Sequence, residues 1–174
     1  MTPAEYVEVV VFPTFRDFIQ APTDRRLAYL TMISAYHLVD YLMRTSAPSD
    51  RKARDAETKR IENEIEKRCG GDFHVVEGMC NGSKHCGRDT KARAQFTPGD
   101  ETRSVTFGFG TGPGIGGFGQ GHFGPPRLIV FHDGKPYVVD IAARAFLLAA
   151  VDAFPQHLGA VDLTGIRPEA NQPV

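Results

Sequence analysis

The segment DFHVVEGMCNGSKHCGR, residues 72 to 88, is the densest run of reactive side chains in the sequence. Read as a helix, it puts Asn81 and His85 one turn apart, with Lys84 beside them and Glu77 one turn before Asn81, on a polar face opposite Phe73, Val76 and Cys80. A second set, His37, Asp40 and Tyr41, repeats at three and four residues on another predicted helix. If the two helices pack together, Asp40 orients an imidazole and Asn81 holds a substrate oxygen, as general acid-base chemistry requires. The competing reading is packing alone: a helical histidine commonly sits half-buried with one hydrogen bond, and Asp40 is placed to pair with Arg44. Lys84, Arg88, Lys91 and Arg93 form a basic stretch adjoining His85 and are the expected phosphate contacts. The earlier basic group, from Arg51 to Arg68, is interleaved with Asp50, Asp55, Glu57, Glu62, Glu64 and Glu66 and reads as a self-paired, solvated helix face.

Two further patterns carry less chemistry. Cys69, His74, Cys80, His85 and Cys86 are zinc-ligand types, but there is no C-x-x-C knuckle and helical Cys80 and Cys86 point to different faces, so no metal site and no cofactor are expected. Glycines 112, 114 and 117 satisfy G-x-G-x-x-G within GFGTGPGIGGFGQGHFG, residues 108 to 124. A dinucleotide fingerprint must open a helix, whereas Pro125-Pro126 and a strand follow here. The stretch reads as a glycine-rich loop whose Phe109, Phe118 and Phe123 offer contacts to a protein partner.

The elements that must position these residues follow from periodicity. Residues 2 to 20 open with Thr-Pro and place apolar residues at helical intervals, against a rival strand at 6 to 12 suggested by β-branched Val7 to Val11 and by Pro13. From Asp24, Leu27, Leu30, Ser34, Leu38, Tyr41 and Leu42 trace an amphipathic helix ending near Pro48. Residues 50 to 69 read as an exposed helix with a thin stripe of Ala53, Ala56, Ile61 and Ile65. Gly70-Gly71 then stops it, and Asp72 caps a fourth helix carrying Phe73, Val76, Met79, Cys80 and Ser83 inward. Val105 and Phe107 alternate with polar neighbours, and residues 128 to 139 read as two strands about Asp133-Gly134. Asp140 caps a last helix of Ile141, Phe146, Leu147, Ala150, Val151 and Phe154, which Pro155 closes. The fold expected is mainly α: a bundle of four or five helices with a small antiparallel β-hairpin, residues 126 to 139, before the last helix. Residues 1 to 158 form one domain, with 159 to 174 a flexible tail.

Composition bounds the function. Among 174 residues, Lys+Arg number 20 and Asp+Glu 21, so the net charge of -1 supplies no global field toward nucleic acid or an anionic membrane. Any such binding must be local. No apolar run approaches a membrane span, and the N-terminus, with Glu5 and Glu8 and no basic start, is unlike a secretory signal; the expectation is a cytoplasmic protein with no membrane partner. Three cysteines, an odd count, argue against a disulfide framework.

The helix order and the Asn81-Gly-Ser-Lys-His85 segment resemble the HEPN superfamily, whose pattern is an arginine, commonly followed by a polar residue such as asparagine, and a histidine four to six residues further on. The chain also resembles small bacterial proteins that share a His-x-x-Asp-aromatic helix, here His37 to Tyr41, and an Asn-Gly-Ser-Lys-His segment. The likeness covers roughly residues 2 to 90. It implies a helical bundle, often a homodimer, and in many members a metal-independent ribonuclease of toxin-antitoxin or phage-defence systems. The histidine there serves acid-base chemistry on the ribose 2′-hydroxyl while arginine stabilises the phosphate. His85 and Asn81 match; the arginine position holds Cys80, which cannot fork onto a phosphate, leaving Lys84 or Arg88 as the cation. The alternative is a non-catalytic interaction module using the Gly/Phe-rich loop.

Overall fold

The computed structural model describes residues 1–84, 103–105, 127–133 and 135–166. The chain begins with one continuous helical run: α1 (Pro3–Tyr6), a π-helical turn (Val7–Val11) and α2 (Phe12–Gln20). Thr2 and Glu5 close it with a reciprocal capping box, Glu5 N–H donating to the Thr2 hydroxyl and Thr2 N–H to the Glu5 carboxylate. The strand rival at 6 to 12 is not what forms. Pro13 has no N–H to offer the carbonyl four residues back, and its ring crowds that carbonyl. The helix responds by widening just before it, where Phe12 N–H donates five residues back to Val7.

Asp24 caps α3 (Arg25–Thr45) through Leu27 N–H, and Asp50 caps α4 (Arg51–Cys69) through Ala53 N–H. Gly70, at φ +57, separates α4 from α5 (Gly71–Lys84), a backbone conformation that glycine adopts without strain. Asp72 therefore lies in the first turn of α5 and is not its cap. β1 (Arg103–Val105), β2 (Arg127–His132) and β3 (Lys135–Val138) form an antiparallel sheet in that order. His132 pairs with Lys135, and Asp133, in the turn between them, takes a positive φ of 50 of the kind tight hairpin turns demand. Pro136 falls on the edge strand, where its missing N–H is harmless. α6 (Val139–Ala153) and the short α7 (Pro155–Leu158) complete the fold. The expected mainly helical bundle with a small antiparallel hairpin before the last long helix is what the chain forms.

α3 is the central element, packed against the N-terminal helical run, α4, α5 and α6. The core between them holds Phe15, Phe18, Met32, Leu38, Phe73 and Phe146, all fully buried, with the Phe73 and Phe146 rings 5.9 Å apart. β2 lies on α6, and Leu128 N–H donates to the Pro22 carbonyl, which ties the sheet to the turn between α2 and α3. Three inward assignments differ from expectation. Leu30 and Ile141 are exposed, and Ser83 is exposed with its hydroxyl turned back to the Cys80 carbonyl. Asp140 also differs: Val138 occupies the cap position of α6, and Asp140 sits buried in the first turn with Oδ2 3.2 Å from the Arg127 guanidinium. Burial raises its carboxyl above the usual range while Arg127 and Arg144 pull it back, so this pair joins β2 to α6. Beyond α7, where a loose tail is expected from residue 159, Val161 and Ile166 are buried against the core.

Candidate functional site

The predicted site residues divide between two helices and the region beyond them. His85, Arg88, Lys91 and Arg93, together with Cys86 and the 108–124 loop, lie outside the described residues; Lys84 is the last residue of α5. Asn81 is half-buried in the last turn of α5, and on α3 His37 is half-buried and Asp40 exposed.

Tyr6 packs on α3. Its ring stacks on Tyr41, centroids 3.9 Å apart and planes 12° from parallel, and its hydroxyl donates to the Ser34 carbonyl at 3.0 Å. Burial pushes that hydroxyl up to about 12, and the charges of Tyr41, Asp40 and Cys80 add to the effect. α3, with His37 and Asp40, packs against α5, with Asn81. Arg44, one turn beyond Tyr41 on α3, places its guanidinium over the Tyr41 ring, 5.8 Å from the centroid. Cys80 is fully buried.

Glu77 does not join the polar face expected of it. It points inward, 8% exposed, with Oε2 3.9 Å from Nδ1 of His74. His74 Nε2 is in turn 3.2 Å from Glu66 of α4, so one imidazole stands between carboxylates of two helices. Its ring is 5.5 Å from that of His132 on β2, which is 6.3 Å from Tyr137 on β3. Next to this group, Tyr36 of α3 donates to Glu62 of α4 at 2.6 Å. Burial holds the Tyr36 phenol well above its ordinary range, and the bond to Glu62 and the charges of Glu62 and Glu77 reinforce that.

Sequence reasoning missed this polar junction. His74 and Glu77 at i,i+3 were visible, but Glu66 reaches them across the Gly70 break and His132 from a strand far along the chain. His74, with Nε2 3.2 Å from Glu66 and its ring against His132, joins α4, α5 and the hairpin, while its buried Nδ1 makes no hydrogen bond and lies 3.9 Å from the Glu77 carboxylate. An open depression of about 550 Å³ along α4 is lined by Arg60, Asn63, Glu64, Glu66, Lys67 and Gly70. Arg60 and Lys67 are paired with Glu57 and Glu64, so it has no net preference for an anion.

Of the zinc-ligand types, burial first and then the Asp72 charge push the Cys69 thiol up to about 12, and it donates to the Ile65 carbonyl. That thiol is a poor source of thiolate. Among the described residues, no three His, Cys, Asp or Glu side chains converge as a metal site. The chain matches no protein-family model, no curated protein and no solved structure.

Proposed function

We propose that this chain is a HEPN-like cytoplasmic protein that binds or cleaves RNA where α3 meets the end of α5, in a toxin-antitoxin or defence setting and as a homodimer. His85 is the acid-base residue, Asn81 and the His37-Asp40 pair position substrate, and Lys84, Arg88, Lys91 and Arg93 contact phosphate. The observation that supports this reading is that α3, which carries the His37-Asp40 pair, packs directly against α5, which carries Asn81. No step needs a metal: a histidine that accepts the 2′-hydroxyl proton and cations that neutralise the phosphate are sufficient.

The test is cleavage of a mixed RNA pool in the presence of a chelator by wild type and His85→Ala. Cleavage that resists the chelator and disappears with His85→Ala, while the helical circular dichroism stays unchanged, is expected. Cleavage untouched by the substitution removes His85 from the mechanism, and folded wild type that neither cleaves nor binds the pool overturns the reading.

A second reading is favoured by one specific observation, the complete burial of Cys80. An uncharged core thiol at the arginine position suits a non-catalytic module that recognises a protein through the Gly/Phe-rich loop at 108–124. Deleting residues 110–122 then abolishes partner capture without unfolding the bundle; a partner captured equally well by the deletion counts against it.

A further inference from the structure

We infer that Arg44, held over the Tyr41 ring, is the guanidinium that engages phosphate at this site, acting from α3 where Cys80 cannot act from α5. The inference rests on the RNA reading above and adds to it a residue that the Asn-Gly-Ser-Lys-His pattern does not contain.

The case begins with charge. Phosphate recognition by a planar fork needs a guanidinium whose donors are not already used. Several arginines of the described residues have theirs engaged: Arg60 forks onto Glu57, Arg68 binds Glu64, and Arg127 meets Asp140. Arg44 is exposed, and its guanidinium lies over Tyr41 rather than in an ion pair with a described carboxylate, although Asp40 stands one turn earlier on the same helix.

Position supports the same conclusion. A guanidinium over an aromatic face keeps its edge N–H groups pointing outward, and the ring restricts its rotamers before any ligand arrives. That ring is itself fixed, because Tyr41 stacks on buried Tyr6, whose hydroxyl is anchored to the Ser34 carbonyl. Arg44 therefore stands one turn beyond Asp40, over Tyr41, on the helix that packs along α5.

Arg44 also lies in the last turn of α3, where a cation favours the helix end. That role alone predicts a change in stability and none in binding, so binding decides. The probe is a labelled single-stranded RNA of mixed sequence, titrated with wild type, Arg44→Ala, Arg44→Lys and Lys59→Ala over a range of KCl concentrations. The last variant removes an exposed cation from α4 as a control.

Arg44→Ala is expected to weaken binding about tenfold and to lower the slope of log K against log salt by about 0.7, one phosphate contact on a single strand. Arg44→Lys recovers part of the loss and Lys59→Ala matches wild type. Wild-type binding with an unchanged affinity and slope in Arg44→Ala overturns this inference and leaves the RNA reading standing. An equal loss in Lys59→Ala also overturns it, by showing diffuse attraction in place of a site. Wild type that does not bind the RNA overturns the RNA reading itself.

Discussion

Cys80 concentrates the chemistry of this chain at the residue scale. Its side chain is enclosed where α5 meets α3, so volume and polarity govern it and its reactivity does not. Cys80→Ala should cost only about 1 kcal/mol, the removal of one small buried group. Cys80→Arg should cost more than about 4 kcal/mol, because a guanidinium buried there loses its hydration and overfills a packed core. Urea unfolding of both variants checks the contrast; a Cys80→Arg protein as stable as wild type would mean that the position opens to solvent. Asn81 and His37 lie on helices, as their spacing predicts, since a single helix fixes spacing. Glu77 was placed on the wrong side because its orientation depends on His74 and on Glu66 of another helix, which no spacing within α5 reveals.

Among the elements, α4 packs on α3, α5 and α6 through a thin stripe in which Ile61 and Ile65 are buried, and it carries i,i+3 and i,i+4 ion pairs on its outer face. Glu57 is the centre of that network, accepting from the Arg60 fork at 2.8 Å and from Ser46 of the α3–α4 connection at 2.7 Å. The Arg60 and Ser46 hydrogen bonds hold its carboxyl down at about 2, against 4.5 for an unperturbed group. A depressed carboxyl contributes stability that is fully present above pH 4.5 and is lost as pH falls from 4.5 through about 2. Glu57→Gln should therefore be less stable than wild type by about 1 kcal/mol near neutrality, and the gap should close across that window. Unfolding midpoints of the two proteins from pH 7 to pH 2 measure it; a gap that stays constant would show that packing, and not charge, holds Glu57. The Glu57–Arg60 and Glu64–Arg68 pairs were legible as helical spacings. Glu62, among the carboxylates expected to pair along this face, accepts instead from Tyr36 of the neighbouring α3.

At the scale of the whole molecule, the question is how the hairpin sits on the bundle. Gly71 opens α5 directly beneath the Tyr137 hydroxyl of β3, close enough that an added Cβ would overlap it. Gly71→Ala should displace Tyr137 and cost about 1–3 kcal/mol of overpacking, released locally. Hydrogen exchange is expected to quicken at β2 and β3 amides while α3 amides keep their protection, and Tyr137→Phe in the same background should recover part of the loss. Exchange that quickens evenly across the molecule would show the hairpin and bundle to be one cooperative unit.

The sequence by itself determined the helix stripes, the cap at Asp24, the stop at Gly70 and the turn at Asp133. Each of these is a local preference that a few consecutive residues satisfy among themselves. The tertiary structure alone decided that Tyr6 would stack on Tyr41, that Arg44 would lie over that buttressed aromatic pair, and that Glu66, His74 and His132 would meet. Those contacts join residues whose separation along the chain carries no periodic signal, and they exist only once the helices and the sheet have packed at particular angles and heights.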